Sequence, residues 1–457
     1  MDDKQRNRVL GVLFVGVLMG ALDIAIIGPA MPAIQAEFGL TPRQLPWLFS
    51  IYVLMQMIST PLWAKLSDFY GRRAIYVLDV AIFAIGSIVV AASHGSGMWL
   101  LLLVGRAIQG FGAGGIFPVA SAVIGDTFPA DKRGGALGLI GAVFGMAFLI
   151  GPVIGGLLLG FGWQWLFLIN IPLALVVIAL GWKLLPHAPV ATSGGFDWAG
   201  MLALAVALAA FTFGLNEFNP ADAAASLARP AVWATLLVSI AAWIALVAIE
   251  RRAENPVFPV RLFANKQLAV AFAITLGAGI GEASTVFIPL LAVLAFGVTP
   301  SVGSYLLLPL VLAMAVGSPL AGRLLDKLGS RVVILAGLVI MAAGLIGIGR
   351  PAPLWVFIAC SALIGLGLSA LLGAPIRYIT LNETTAADRS AAQGMVTTFT
   401  SIGQLVAAAL IGAVAASFGE AQGYDLSFLG IGLVTIVLVF VALALKSRAV
   451  EQSTRVS

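Results

Sequence analysis

Apolar runs of about 20 residues, each closed by a few polar ones, follow one another along nearly the whole chain. A helix that crosses the bilayer core needs about 20 mostly apolar residues. Runs of that length fall at 9–33, 46–66, 74–93, 98–124, 134–160, 164–185, 197–217, 230–249, 267–295, 303–321, 332–349, 353–376, 390–416 and 427–445. The pattern predicts an all-α membrane protein with fourteen spans, numbered here in chain order. An even number puts both ends of the chain on one side. The first run is too long for a cleaved signal and is expected to stay attached.

Composition agrees. Hydrophobic residues make up 61% of the 457 and charged residues only 10%, where a soluble domain carries about 25% charged. The net charge of +5 would suit nucleic acid if the basic residues clustered, but they sit in short loops. Of 25 Lys and Arg, all but four lie in segments on the side of the N-terminus. Arg43, Arg229 and Arg350 lie opposite, and Arg106 lies within a span. This asymmetry fits the positive-inside rule and places both termini in the cytoplasm. Cys360 stands alone, so no disulfide forms within the chain. His94 and His187 lie in different loops, and no metal site is expected. A membrane-bound transferase would need His, Cys, Asp or Glu clustered at one membrane face, and the acids are scattered.

One charged phrase occurs twice. "AKLSDFYGRRA" (64–74) joins spans 2 and 3, and "AGRLLDKLGSRV" (321–332) joins spans 10 and 11. Each begins about 55 residues after its half starts, so spans 1–6 and 9–14 form two copies of a six-helix unit, a transporter signature. The expected domains are 1–190 and 266–457, with 191–265 a linker carrying two additional spans. Gly71 permits a sharp bend before Arg72. One reading is a charged turn that serves topology. The other is a latch, in which Asp68 and Asp326 meet a helix N-terminus or a guanidinium such as Arg72 or Arg331. Repetition in equivalent places favours the latch.

Charges within spans are costly and mark functional candidates. Asp23 in "GALDIAIIGPAM" is either a helix-bridging polar group or a protonation site. Arg106 in "GRAIQG" needs a partner or water. Glu282 of span 9, with Thr275, Ser284 and Thr285 nearby, faces a cavity or is paired locally. Asp79 of span 3, near a charged end, is a weaker candidate expected to reach water or a loop Arg. In span 5, Gly141 and Gly145, Gly151 and Gly155, and Gly156 and Gly160 are each four apart, which lets helices approach closely. Pro152 favours a kink.

These motifs carry a resemblance. "AKLSDFYGRR" resembles the signature loop of the major facilitator superfamily, G-x-L-x-D-R-x-G-R-K, with Ala64 and Phe69 departing from it. The second copy keeps Gly322 and Asp326 but has Ser330 before Arg331. Leu22, Asp23, Ala30 and Pro32 match the L-D-x-T-I-V-N-V-A-L-P motif of the fourteen-helix drug:proton antiporter group. Ala25 and Gly28 replace its Thr and Asn. Arg106, Gln109 and Gly110 resemble R-x-x-Q-G. Gly151, Pro152, Gly155 and Gly156 resemble the antiporter motif G-P-x-x-G-G. "GWQWLFLINIP" resembles G-W-R-W-x-F-x-I-N-x-P at Gly162, Trp163, Trp165, Phe167, Ile169, Asn170 and Pro172.

The resemblance implies a monomeric, proton-driven exporter of lipophilic or amphipathic compounds in a prokaryotic inner membrane, without a cofactor, in contact with lipids and protons. It implies a proton carrier at Asp23, with Glu282 as a second carrier or cation contact. Arg106 and Gln109 would couple protonation to conformation, and Asp68, Gly71, Arg72, Asp326 and Arg331 would gate the cytoplasmic side. A lipid or glycolipid translocator of the same fold is the alternative.

Overall fold

The computed structural model describes residues 3–185, 197–253, 256, 258–350, 352–385 and 389–453. The predicted boundary at 190/191 and His187 lie outside the described residues. Every regular element among those described is a helix. In the first half these are Asp3–Phe38, Trp47–Tyr70, Arg72–Ala92, Trp99–Thr127, Ala130–Leu158 and Gln164–Leu184, which are spans 1 to 6. Spans 7 and 8 are Trp198–Glu217 and Pro230–Glu250. Spans 9 to 14 follow as Lys266–Thr285, Pro300–Leu328, Ser330–Ile348, Leu354–Asn382, Arg389–Phe418 and Glu420–Ala442. Span 9 continues, after a break at Val286 and Phe287, as Ile288–Phe296.

Thirteen of these helices, among the described residues, are long and apolar enough to cross a bilayer. The sequence predicts fourteen, and span 5 makes the difference. Its helix is Ala130–Leu158, and the apolar stretch among its fully described residues, Gly145–Phe161, is shorter than a span.

The chain forms two compact units. The first holds 1–40, 47–196 and 300–305, and the second holds 41–46, 197–299 and 306–457. In the first unit span 4 packs on spans 2 and 3, and span 1 packs on span 5. In the second, span 12 packs on spans 10 and 11, and span 9 packs on span 13. The predicted repeat is therefore also a repeat of packing.

Glycines fix its register. A Cβ on Gly110 would strike the backbone of Tyr52, and one on Gly365 would strike that of Leu310. Gly86 lies against Gln109, and Gly344 against Ile364. The two turns match as well. Gly71 has φ 91° and Gly329 has φ 82°, a region that L side chains rarely adopt. By this register Arg72 corresponds to Ser330, Asp79 to Gly337, Arg106 to Ser361, Gln109 to Ile364 and Gly115 to Ala370.

Spans 7 and 8 belong to the second unit, pack on each other, and reach span 13 through span 7. Only 22% of the most apolar window of span 8 is buried, against 72% for span 9. Trp233, Leu237, Ile240 and Ile244 are exposed on one side of span 8. At that spacing they form a single apolar stripe, which suits lipid rather than water.

Candidate functional site

Span 4 brings Arg106 and Gln109 onto one face because they stand three residues apart. Gly105 and Gly110 let spans 3 and 2 come close enough for both side chains to be enclosed. Asp23 arrives from span 1, Ser87 from span 3 and Asn170 from span 6. All five are fully buried.

Arg106 Nη1 donates to Asp23 Oδ2 at 2.6 Å and to Gln109 Oε1 at 2.8 Å, while its Nε donates to Leu48 O at 3.0 Å. The guanidinium also lies 4.3 Å from the ring centre of Tyr52 and 5.7 Å from that of Phe167. The other oxygen of Asp23, Oδ1, accepts from Gln109 Nε2 at 3.0 Å and Asn170 Nδ2 at 3.1 Å. Gln109 Nε2 donates in addition to Ser87 Oγ at 2.8 Å.

One guanidinium and two side-chain amides thus donate to the two carboxyl oxygens of Asp23. Charge-assisted hydrogen bonds of this kind are short and strong. Three polar atoms stay without a described partner: Arg106 Nη2, Tyr52 Oη and Asn170 Oδ1. A buried network that is only partly satisfied carries a cost, and these atoms are its unspent donors and acceptors.

The sequence points to Asp23, Arg106 and Gln109. It does not single out Ser87 and Tyr52, because a serine or tyrosine in an apolar span is ordinary. Asn170 had a signal, an amide inside an apolar run, but no role followed from it.

Glu282 lies in the second unit, where the side chain of Gln404 from span 13 hydrogen-bonds to it. Its polar neighbours do not extend that site. Thr275, Ser284 and Thr285 each donate to carbonyls of their own helix, those of Ala271, Gly281 and Glu282.

At the first glycine turn, Arg72 forms an ion pair with Asp68, donates from Nε to Asp126 Oδ2 at 2.9 Å, and donates to Ser67 Oγ at 2.6 Å. Asp126, at the end of span 4, is a partner the sequence does not reveal. At the second turn the short helix Arg448–Ser453 takes over. Ser330 Oγ donates to Glu451 at 2.6 Å, and Arg448 Nη2 donates to the carbonyl of Asp326 at 2.9 Å. The side chain of Asp326 is exposed and that of Arg331 is half-buried.

On span 5, Gly151 and Gly155 bring the helix against Ala25 and Pro29 of span 1. The carbonyl of Pro152 accepts from Ser304 at 2.7 Å within the same unit, and Gly156 lies against Tyr305. Glu37, at the far end of span 1, accepts from Trp163 Nε1 at 2.6 Å and from the backbone of Gly95 at 2.8 Å, and pairs with His94 Nδ1 at 2.8 Å. The start of the "GWQW" motif is thus tied to span 1.

One correction concerns Asp79. The sequence suggests that it reaches water or a loop Arg. It is wholly buried, because span 4 packs over it at Gly112 and Gly115, and neither of its oxygens has a described partner.

Two packing repeats of membrane-length helices, one enclosing a carboxylate–guanidinium network, define a repeat-built multi-spanning membrane protein. The sequence profile of the Major Facilitator Superfamily matches residues 13–281 and 268–456. The chain belongs to the Major Facilitator Superfamily, a family of membrane transporters.

It is 33% identical over 432 residues to the uncharacterized MFS-type transporter YfiU of Bacillus subtilis, covering 92% of this chain and 82% of the relative. It is 29% identical to the multidrug transporter protein MdtP of the same organism, covering 90% of this chain and 76% of the relative. Among solved structures, the nucleoside transporter NupG superposes with a TM-score of 0.68 at 15% identity, covering 96% of this chain and 99% of the other. That likeness speaks for the fold alone.

Proposed function

We propose that the protein exports lipophilic or amphipathic compounds in exchange for protons, by alternating access. The observation that carries this reading is the buried Asp23–Arg106 ion pair. A proton arriving at Asp23 dissolves the pair and leaves Arg106 charged, buried and unmatched. Breaking a buried pair on one side costs about 3–5 kcal/mol. Protonation therefore favours whatever rearrangement gives the guanidinium a new partner. The different proton affinities of the two arrangements are what let a proton gradient move the equilibrium between them.

Gln109 and Asn170 tune Asp23 through its second oxygen, and Glu282 serves the second unit as a further proton carrier or cation contact. The clusters at Arg72 and at Ser330 gate the cytoplasmic side. The basic residues orient both termini towards the cytoplasm of a bacterial inner membrane. Spans 7 and 8 form a linker between the two halves of a monomer. Relatives described as a multidrug transporter and as a multidrug resistance protein support the substrate class.

The test uses inside-out vesicles with an imposed proton gradient, acid inside, and a fluorescent pH probe. A panel of lipophilic cations, neutral drugs and amphiphiles is added. Gradient loss that requires both compound and protein, and that vanishes in Asp23→Asn, is the expected result. Proton-driven transport unchanged in Asp23→Asn would sink the carrier assignment. Silence from folded wild-type protein across the panel would favour lipid translocation.

A further inference from the structure

Span 3 carries Arg72, Tyr76, Asp79, Phe83 and Ser87 along one buried face, each three or four residues from the next. Arg72 belongs to the charged turn and Ser87 to the Asp23 network. Asp79 lies between them, about 10 Å from one and about 12 Å from the other at 1.5 Å of rise per residue.

The carboxyl of Asp79 is wholly enclosed, with span 4 closing over it at Gly115. Among the described residues no donor reaches either oxygen. The ionisable groups on span 3 and on the helices packed against it point to other partners or lie at the charged end. Tyr76 gives its hydroxyl to Leu13 O at 3.3 Å. Arg72 takes Asp68 and Asp126, and Arg106 takes Asp23. Lys65 of span 2 lies over Phe69, and Arg73 lies over Trp182. Lys183 sits in the last turn of span 6, towards the charged end.

An ionised carboxylate without a counter-charge costs several kcal/mol in an apolar interior, and such a group neutralises instead. The second unit indicates that packing does not require it. Gly337 occupies the equivalent position, and a Cβ there would meet Ala370 at 2.7 Å. Side-chain volume has moved from one helix to the other, and no polar side chain stands at either position. The fold therefore packs this contact without a carboxyl in one copy and keeps a costly one in the other.

We propose that Asp79 is a second proton-binding site of the first unit, placed midway between the charged turn and the Asp23 network. It holds its proton in this conformation. It releases the proton to water when spans 3 and 4 part around it, and takes one back from hydronium as they close. Only the carboxyl O–H bond breaks and re-forms. The inference rests on the proton-coupled reading and adds to it a titrating group separate from Asp23.

The experiment compares purified, reconstituted wild type with Asp79→Asn by infrared spectroscopy at neutral pH, alongside vesicle transport. The expected result is loss of a protonated-carboxyl C=O band in the variant. Proton-driven accumulation should be lost with it, while downhill substrate exchange is kept. A band and a proton-driven rate both equal to wild type would overturn the proposal. If Asp79→Asn does not fold, Asp79→Ala, which copies the small side chains of the second unit, gives the same two readouts. Wild type without proton-driven transport but with the band lost in the variant would support the Asp79 proton and refute the antiport reading instead.

Discussion

The two units solve one packing problem with different chemistry. Both place a positive-φ glycine at the turn, Gly71 and Gly329. Both press a glycine of the fourth helix of the repeat, Gly110 or Gly365, onto the second helix. Around those shared contacts the polar groups diverge. Arg106, Gln109 and Ser87 of the first unit correspond to Ser361, Ile364 and Leu345 of the second. At the turn, Arg72 collects two acids, whereas Ser330 receives one from the C-terminal helix. Backbone approach is thus the property of the repeat, and charge is the property of each copy. The ion pair of the first unit is not a requirement of the helix packing, which is why it is the better candidate for function.

The largest expected effect tests that contrast directly. Arg106→Ala leaves Asp23 buried without its cation and should cost about 3–5 kcal/mol. Ser361→Ala, at the equivalent place, removes a hydroxyl that has no described partner and should be close to neutral. Thermal unfolding of both variants in detergent measures the difference, and equal losses would break the comparison.

Gly110→Ala and Gly365→Ala should each cost about 1–3 kcal/mol through overpacking, because in both the new Cβ meets backbone that cannot move aside. Similar losses in the same unfolding assay would sharpen the idea of a shared scaffold. A loss confined to one unit would refute it.

Glu451→Gln keeps the size of the side chain but replaces a carboxylate that accepts from Ser330. A loss of about 1–3 kcal/mol is expected for a buried charge-assisted bond, read as earlier proteolysis of the C-terminal helix. Asn265→Ala should have the smallest effect. Asn265 caps span 9 by accepting from Gln267 N at 2.9 Å and donates to Glu383 Oε2 at 3.0 Å, and loss of such a cap costs about 1 kcal/mol. Hydrogen exchange confined to the first turn of span 9 would check it.

Much of the first unit's site was legible in the chain. Arg106 and Asp23 are charges in apolar runs, and a charge in a span needs a partner. Asn170 was visible as a polar residue but not as a donor to Asp23, because nothing local says which helix it faces. Asp126 and Glu451 were invisible for a similar reason. Each lies near a helix end among other polar residues, and its partner is 54 or 121 residues away. Asp79 was misplaced, because distance from the end of a span does not reveal that glycines at 112 and 115 draw span 4 over it.

By itself the sequence determined the membrane class, the positions of the spans, the six-helix repeat and the residues whose burial demands an explanation. These follow from hydropathy, spacing and charge, which are local properties read one window at a time. Only the tertiary structure decided which polar groups meet, that Asp23 is paired while Asp79 is not, and that the second copy of the charged phrase is completed by the C-terminal helix. Such choices depend on which faces of distant helices come together, and a helix shows its faces only to neighbours three and four residues away until packing brings in the rest.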